Sequence, residues 1–106
     1  MSKILKNPTL HELQEYVRMV VKERGWDKNN ELELFLLFSE EVGELAKAIR
    51  NRRGLCKEEG VNHKDNLEEE FADVLSYLID LANYFNIDLT EAFFRKEQKN
   101  ERRHWD

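Results

Sequence analysis

The chain has 106 residues, 41% hydrophobic and 37% charged: enough apolar material for one core, and too much charge for a membrane protein. One proline and four glycines exclude collagen-like, proline-rich and flexible-linker classes, and a lone cysteine, Cys56, excludes an internal disulfide and points to a reduced, cytoplasmic setting. The net charge of −5 argues against a polyanion binder, no apolar run approaches the ~20 residues of a membrane span, and the N-terminal MSKILKNP is too short and polar for a signal peptide.

Thr9-Leu10-His11-Glu12 has the T-x-x-E pattern of a capping box and opens a first helix. Leu10, Leu13, Val17, Val20 and Val21 follow at helical spacing, and Gly25 supplies a stop. Asn29-Asn30 caps a second helix that runs to about Asn51, with Gly54 behind it. Residues 52–65 are charged, contain Gly54 and Gly60, and read as a loop. Asp65-Asn66 opens a third helix, which ends near Asn86. Asp88-Leu89-Thr90-Glu91 starts a fourth, which continues to about His104. No segment sustains period-2 alternation, so the expectation is one all-α, four-helix bundle-like domain over residues 1–106.

On the second helix Leu34, Leu37, Phe38, Leu45, Ala48 and Ile49 fall in one arc at roughly 100° per residue. Glu41 lies in the middle of that arc and Glu44 at its edge. On the third helix Leu67, Phe71, Val74, Leu78, Leu81 and Phe85 form the stripe, with Glu70 on its flank and Asp73 one turn on. A carboxylate on an apolar stripe costs desolvation unless a cation or hydrogen bonds compensate it. A lone glutamate there reads best as a core carboxylate paired with Arg or Lys. Two i, i+3 pairs read differently. Antiparallel packing of consecutive helices sets Glu44 and Glu70 within about 3 Å of one height at ~1.5 Å rise per residue. Four carboxylates sharing one level must largely protonate or bind cations, and all-oxygen ligands suit Mg²⁺, Mn²⁺ or Ca²⁺. None of His11, His63 or His104 stands in the Glu-x-x-His spacing of a di-iron bundle, and zinc is as poorly served.

Charge is uneven along the chain. Residues 1–93 hold 12 basic and 19 acidic groups, net −7, whereas residues 94–106 hold five basic and three acidic, net +2. Lys96, Asn100 and Arg103 are spaced i, i+4, i+7, one face of the last helix, and Lys99 shares that face. Taken alone, such a tail is a solvated helix end whose cations suit its dipole. Nucleic acid is disfavoured by the small basic count. The second helix carries Phe35, Val42 and Ala46 beyond its main stripe, a wide arc that predicts association of chains. Cys56 lies in the charged loop with no His or Cys partner nearby in sequence and reads as non-catalytic, and Trp105 is expected to pack against a neighbouring subunit.

Glu40-Glu41-Val42-Gly43-Glu44 followed by Glu70-Phe71-Ala72-Asp73 resembles the E-E-x-x-E … E-x-x-D signature of MazG-type nucleotide pyrophosphohydrolases, and Lys96, Asn100 and Arg103 resemble that family's K-x-x-x-N-x-x-R element. The resemblance covers roughly residues 10–105. It implies an all-α fold and Mg²⁺-dependent cleavage of a nucleoside triphosphate between its α and β phosphates, with Mn²⁺ as a substitute metal. It implies that Glu41, Glu44, Glu70 and Asp73 hold the metal, that Glu41 or Glu44 serves as the base for the attacking water, and that Lys96, Asn100 and Arg103 contact phosphates. Tyr77 matches an aromatic that the family places by the nucleotide. Glu40 points about 100° from Glu41 and is expected not to be a direct ligand. Glu23-Arg24-Gly25-Trp26 resembles the E-R-x-W stretch of the branch acting on deoxycytidine triphosphate, which makes Trp26 a nucleotide-binding candidate, although Val17 and Asn51 stand where that branch carries His and Trp. The resemblance also implies a homodimer or homotetramer with sites near subunit interfaces, and a role in nucleotide-pool housekeeping. Two other readings stand beside it: a non-catalytic helical interaction module, and the same chemistry on phosphoribosyl-ATP.

Overall fold

Thr9 turns its side chain onto the first helical turn: the Glu12 N–H donates to Thr9 Oγ1 at 3.1 Å, and the Thr9 N–H donates to Glu12 Oε1 at 2.8 Å. This reciprocal pair satisfies donors that a helix start leaves orphaned. Helix α1 (Leu10–Glu23) stops at Gly25, whose φ of +71° is the left-handed conformation that glycine adopts without Cβ strain. Helix α2 (Glu31–Arg52) opens on the same device, with Asn30 and Glu33 as the reciprocal pair. Helix α3 spans His63–Tyr84, and helix α4 spans Leu89–Arg102 with Asp88 Oδ1 accepting the Glu91 N–H at 3.1 Å. The computed structural model describes residues 3–53 and 63–103, with backbone alone for 63–65. Every regular element among the described residues is a helix, and none is long and apolar enough to cross a membrane.

The ends differ in detail from the sequence expectation. Arg52 and His63–Asp65 belong to helices rather than to the connecting loop. Helix α3 ends at Tyr84, and Asn86 beyond it takes φ +56°, a conformation that asparagine tolerates better than most residues. Helix α4 stops at Arg102, short of His104, and Arg103 turns extended with φ −79° and ψ 143°. Cys56, His104 and Trp105 lie outside the described residues.

Helices α2 and α3 form the main antiparallel hairpin: the Tyr84 hydroxyl donates to Glu31 Oε2 at 2.6 Å, tying the end of α3 to the start of α2. Helix α1 lies against α3, and α4 meets α1. The buried core is Val17 and Val20 of α1, Leu34 and Ala48 of α2, and Ile79 and Ala82 of α3. The stripe expected on α3 therefore divides. Leu67, Val74 and Leu81 are half-buried, but Phe71, Leu78 and Phe85 are exposed, as is Ile49 on α2. The apolar arcs of α2 and α3 are wider than one hairpin and one crossing helix can cover.

Much surface is left open. The accessible area is 8623 Å², against about 6300 Å² expected for a compact monomer of 12.8 kDa. The radius of gyration is 16.6 Å, against ~13 Å for a compact chain of this length. Phe71, Leu75 and Leu78 on α3 and Phe93 and Phe94 on α4 belong to this uncovered area, and α4 carries no buried residue.

One buried polar side chain holds the start of α4. Gln14 is 3% exposed. Its Nε2 donates to Asn83 Oδ1 at 3.0 Å and to the Ile87 carbonyl at 2.9 Å, its Oε1 accepts the Leu89 N–H at 2.8 Å, and Asn83 Nδ2 donates to the Gln14 carbonyl at 3.0 Å. Gln14→Leu keeps the bulk but strands the Ile87 carbonyl and the Leu89 N–H. The expected cost is about 1–3 kcal/mol, read as a melting temperature several degrees lower.

Candidate metal centre and nucleotide cleft

The antiparallel hairpin brings the middle of α2 against the first half of α3. Glu41, Glu70 and Asp73 each offer one carboxylate oxygen, and these oxygens all lie within 4.8 Å of one another. Glu41 and Glu70 are half-buried and Asp73 is exposed, so the group has a closed side and an open side. Glu70 Oε2 is buried with no hydrogen-bond partner. A buried, unpaired carboxylate oxygen is expensive unless something outside the chain satisfies it.

Electrostatics carries the same signature. Burial first, then the charges of Asp73, Glu70, Glu40 and Glu44, push the Glu41 carboxyl above its ordinary value. Glu70 is raised by burial, then by the charges of Asp73 and Glu44. The charges that act most on both are carboxylates. Such a set fits a hard divalent cation: the donors are all oxygens, one is orphaned, and the like charges need a counter-ion.

Glu44 stands outside the tight group and is exposed, although its charge reaches both Glu41 and Glu70. Glu40 is likewise exposed and outside the group.

Asp73 also forms part of the wall of a cleft of about 450 Å³ between α1, the α1–α2 turn, α2 and α3. Tyr16, Trp26 and Tyr77 supply aromatic surface there, Val17, Val20, Val21 and Leu37 supply aliphatic surface, and Arg24, Asn29, Ser76 and Asp80 supply polar groups. Few polar groups on an apolar, aromatic wall are what a small-molecule pocket of this size requires. Trp26 is held by its backbone N–H, which donates to the Val21 carbonyl at 2.8 Å, and the Arg24 guanidinium lies over its ring, 5.0 Å from the centroid. Burial, followed by the charges of Glu41, Asp73, Glu40 and Asp80, raises the Tyr77 phenol and keeps it neutral.

Tyr77 and Trp26 thus line the cleft that Asp73 joins to the carboxylates. The basic element does not. Lys96, Asn100 and Arg103 belong neither to the cleft wall nor to the charges acting on Glu41 and Glu70. Lys96 is exposed, Asn100 Nδ2 donates to Glu97 Oε2 at 3.3 Å, and Arg103 follows the helix rather than continuing its face. Sequence reasoning passed over Asp80. The signal was present: Glu70, Asp73, Tyr77 and Asp80 are spaced i, i+3, i+7, i+10, one face of a helix.

Residues 29–106, which hold α2, α3 and α4, match the family model described as the MazG nucleotide pyrophosphohydrolase domain. YpjD of Bacillus subtilis (strain 168), itself uncharacterised, is 30% identical over 95 residues, which span 90% of this chain and 86% of that protein. The dCTP pyrophosphatase 1 of Homo sapiens is 33% identical over 101 residues; the match spans 92% of this chain and 59% of that enzyme. The chain therefore spans about three-fifths of the length of that relative. The crystal structure of B. subtilis YpjD, described as a candidate pyrophosphatase, aligns with a TM-score of 0.78 at 29% identity, covering 94% of this chain and 100% of that one.

Proposed function

The chain belongs to the MazG nucleotide pyrophosphohydrolase domain family, and from that premise we propose that residues 1–106 act as one catalytic domain that hydrolyses a nucleoside or deoxynucleoside triphosphate between its α and β phosphates, with Mg²⁺ as the metal. The products are the nucleoside monophosphate and pyrophosphate. The observation that carries this reading is the trio of Glu41, Glu70 and Asp73 oxygens within 4.8 Å, one of the three residues opening onto the aromatic cleft.

Glu41, Glu70 and Asp73 would hold the metal, and Glu44 stands exposed at the edge of the set. Mg²⁺ held there would draw charge from the phosphoryl oxygens and acidify a water. The chain supplies the rest. Asp73 joins the metal-holding carboxylates to the mouth of the cleft, and Tyr77 and Trp26 offer faces for the base. Glu44, outside the tight group, takes the proton of the attacking water. That water forms a bond to the α-phosphorus while the α–β bridging bond breaks and the electron pair leaves with pyrophosphate.

Lys96, Asn100 and Arg103 would neutralise the leaving phosphates. Their place outside the cleft wall, together with the exposed apolar side chains of α3 and α4, supports a dimeric or tetrameric assembly in which α4 of one copy serves the site of another. Phe71, Leu75, Leu78, Phe93 and Phe94 give such an interface an apolar surface to bury.

The test offers the common ribo- and deoxyribonucleoside triphosphates, and phosphoribosyl-ATP, to the protein with Mg²⁺. Pyrophosphate and monophosphate are expected in equal amounts, and a chelator should stop their release. Orthophosphate as the first product, or no metal-dependent release from any substrate, sinks the reading.

A further inference from the structure

Helix α4 is held chiefly at its start. From Thr90 to Lys99 every residue is exposed, and the helix buries no side chain. Its first residue is fixed by a side chain from another helix. The buried Gln14 of α1 accepts the Leu89 N–H through Oε1 at 2.8 Å and donates through Nε2 to the Ile87 carbonyl at 2.9 Å. Gln14 is itself oriented by Asn83 near the end of α3, whose Oδ1 accepts from Gln14 Nε2 at 3.0 Å and from Arg18 Nη2 at 3.2 Å. The Leu89 N–H is one of the donors that a helix start leaves without an intrahelical partner. Both ends of one buried amide are thus spent on the backbone groups that flank the N-cap, Asp88.

We propose that Gln14 is a positioning residue of the pyrophosphohydrolase site: by gripping the backbone on either side of Asp88 it sets the direction of α4, and so the place of Lys96 and Asn100 against the outer phosphates. This deepens the pyrophosphohydrolase reading and rests on it for the task of α4.

Leverage makes the angle matter. Lys96 and Asn100 stand seven and eleven residues beyond Leu89, about 10 Å and about 16 Å at ~1.5 Å rise per residue. A tilt of roughly ten degrees about Leu89 carries them about 2 Å and about 3 Å. A misplacement of about 1 Å at groups that position a substrate can cost on the order of a hundredfold. Apolar burial is non-directional and does not by itself remove such a tilt. Two hydrogen bonds from one planar amide, to backbone groups two residues apart, do fix a direction. A second copy lying over Phe93 and Phe94 adds grip, and the junction adds the angle.

The test measures calorimetric affinity, in Mg²⁺, for the non-hydrolysable α,β-imido analogues of the common nucleoside and deoxynucleoside triphosphates, and for the monophosphate of whichever binds tightest. The monophosphate lacks the outer phosphates that α4 serves. Gln14→Leu is expected to weaken the triphosphate analogue by about ten- to hundredfold and the monophosphate by less than about threefold, because α4 belongs neither to the cleft wall nor to the carboxylate group. Added to Lys96→Ala/Asn100→Ala/Arg103→Ala, the same substitution should change the triphosphate affinity by less than about threefold, because the groups it misplaces are gone. Equal weakening of both ligands, or a full further loss in the triple variant, overturns the inference and leaves Gln14 a structural group alone. Gln14→Met, unbranched like glutamine, carries the same comparison if Gln14→Leu is not folded at the assay temperature. The expected affinities with no Mg²⁺-dependent turnover of any triphosphate overturn the hydrolysis and uphold the role of Gln14. Turnover by the unaltered protein, with triphosphate affinity untouched by Gln14→Leu, overturns the role of Gln14 and leaves the hydrolysis standing. An unaltered protein that binds none of the analogues overturns both.

Discussion

Glu70→Gln lowers metal-dependent kcat/KM by more than about a hundredfold, the upper end of what even the outer partners of metal ligands cost, while the metal-free protein loses no stability near neutral pH. The two halves of this result come from one cause. Burial and the neighbouring carboxylates raise Glu70 and Glu41 in the folded chain. In the unfolded chain both ionise at the ordinary carboxylate value. Between that value and the raised folded ones, the folded state holds more protons than the unfolded state, so stability falls as pH rises. For these two groups the metal-free protein is therefore most stable below the unfolded pKa and loses that advantage as pH climbs through the folded values. The glutamine variant removes one of the two charges and flattens the decline. Melting curves in chelator from about pH 5 to about pH 8 measure this directly. Saturating Mg²⁺ at about a hundred times its Kd should add about 2.7 kcal/mol, on the order of ten degrees, to the unaltered protein near neutral pH and much less to the variant. A variant that melts lower than the unaltered protein in chelator would show instead that Glu70 is a structural group.

A mixture of two crippled proteins should recover activity. Glu70→Gln disables the carboxylates of its own copy, and Lys96→Ala disables its own α4. If α4 serves the site of a second copy, a mixed dimer contains one site with both parts intact and one with both defects. Random exchange then returns about a quarter of the unaltered activity, because half of the dimers are mixed and each contributes one working site in two. If α4 serves its own copy, every site in the mixed dimer carries one defect and the mixture stays inactive. The structural basis for expecting recovery is specific. Helix α4 meets α1, contributes nothing buried, and leaves Lys96 exposed and outside the cleft wall. Phe93 and Phe94 on the same helix are exposed, as are Phe71 and Leu75 on α3. These are apolar surfaces that a second copy of the chain would cover.

The helix starts were legible because they are local. Thr9 with Glu12, Asn30 with Glu33, and Asp88 with Glu91 satisfy backbone donors three residues away, and such a bond needs no tertiary partner. The carboxylate pairs were legible for a related reason: i, i+3 spacing puts both members of a pair on one helix face wherever the helix lies. Less legible was which apolar arc would be the core. Phe71, Leu78 and Phe85 have the spacing of a buried stripe and are exposed, whereas Ile79 and Ala82 on a neighbouring arc are buried. Periodicity ranks faces by hydrophobicity and not by what covers them.

Composition, capping and spacing by themselves determined that this chain is all-α, with four helices in known places and two pairs of carboxylates where charge is costly. Each of those conclusions depends on contacts within about one helical turn, and the order of residues specifies such contacts completely. Only the tertiary structure decided that Glu41, Glu70 and Asp73 close on one point while Glu44 stays at the edge. It alone joined Asp73 to a cleft holding Trp26, Tyr77 and Asp80, and set Lys96, Asn100 and Arg103 apart from it. Those outcomes depend on how far one helix is rotated and shifted against another, which is set by side-chain packing across the whole interface and not by the spacing along either helix.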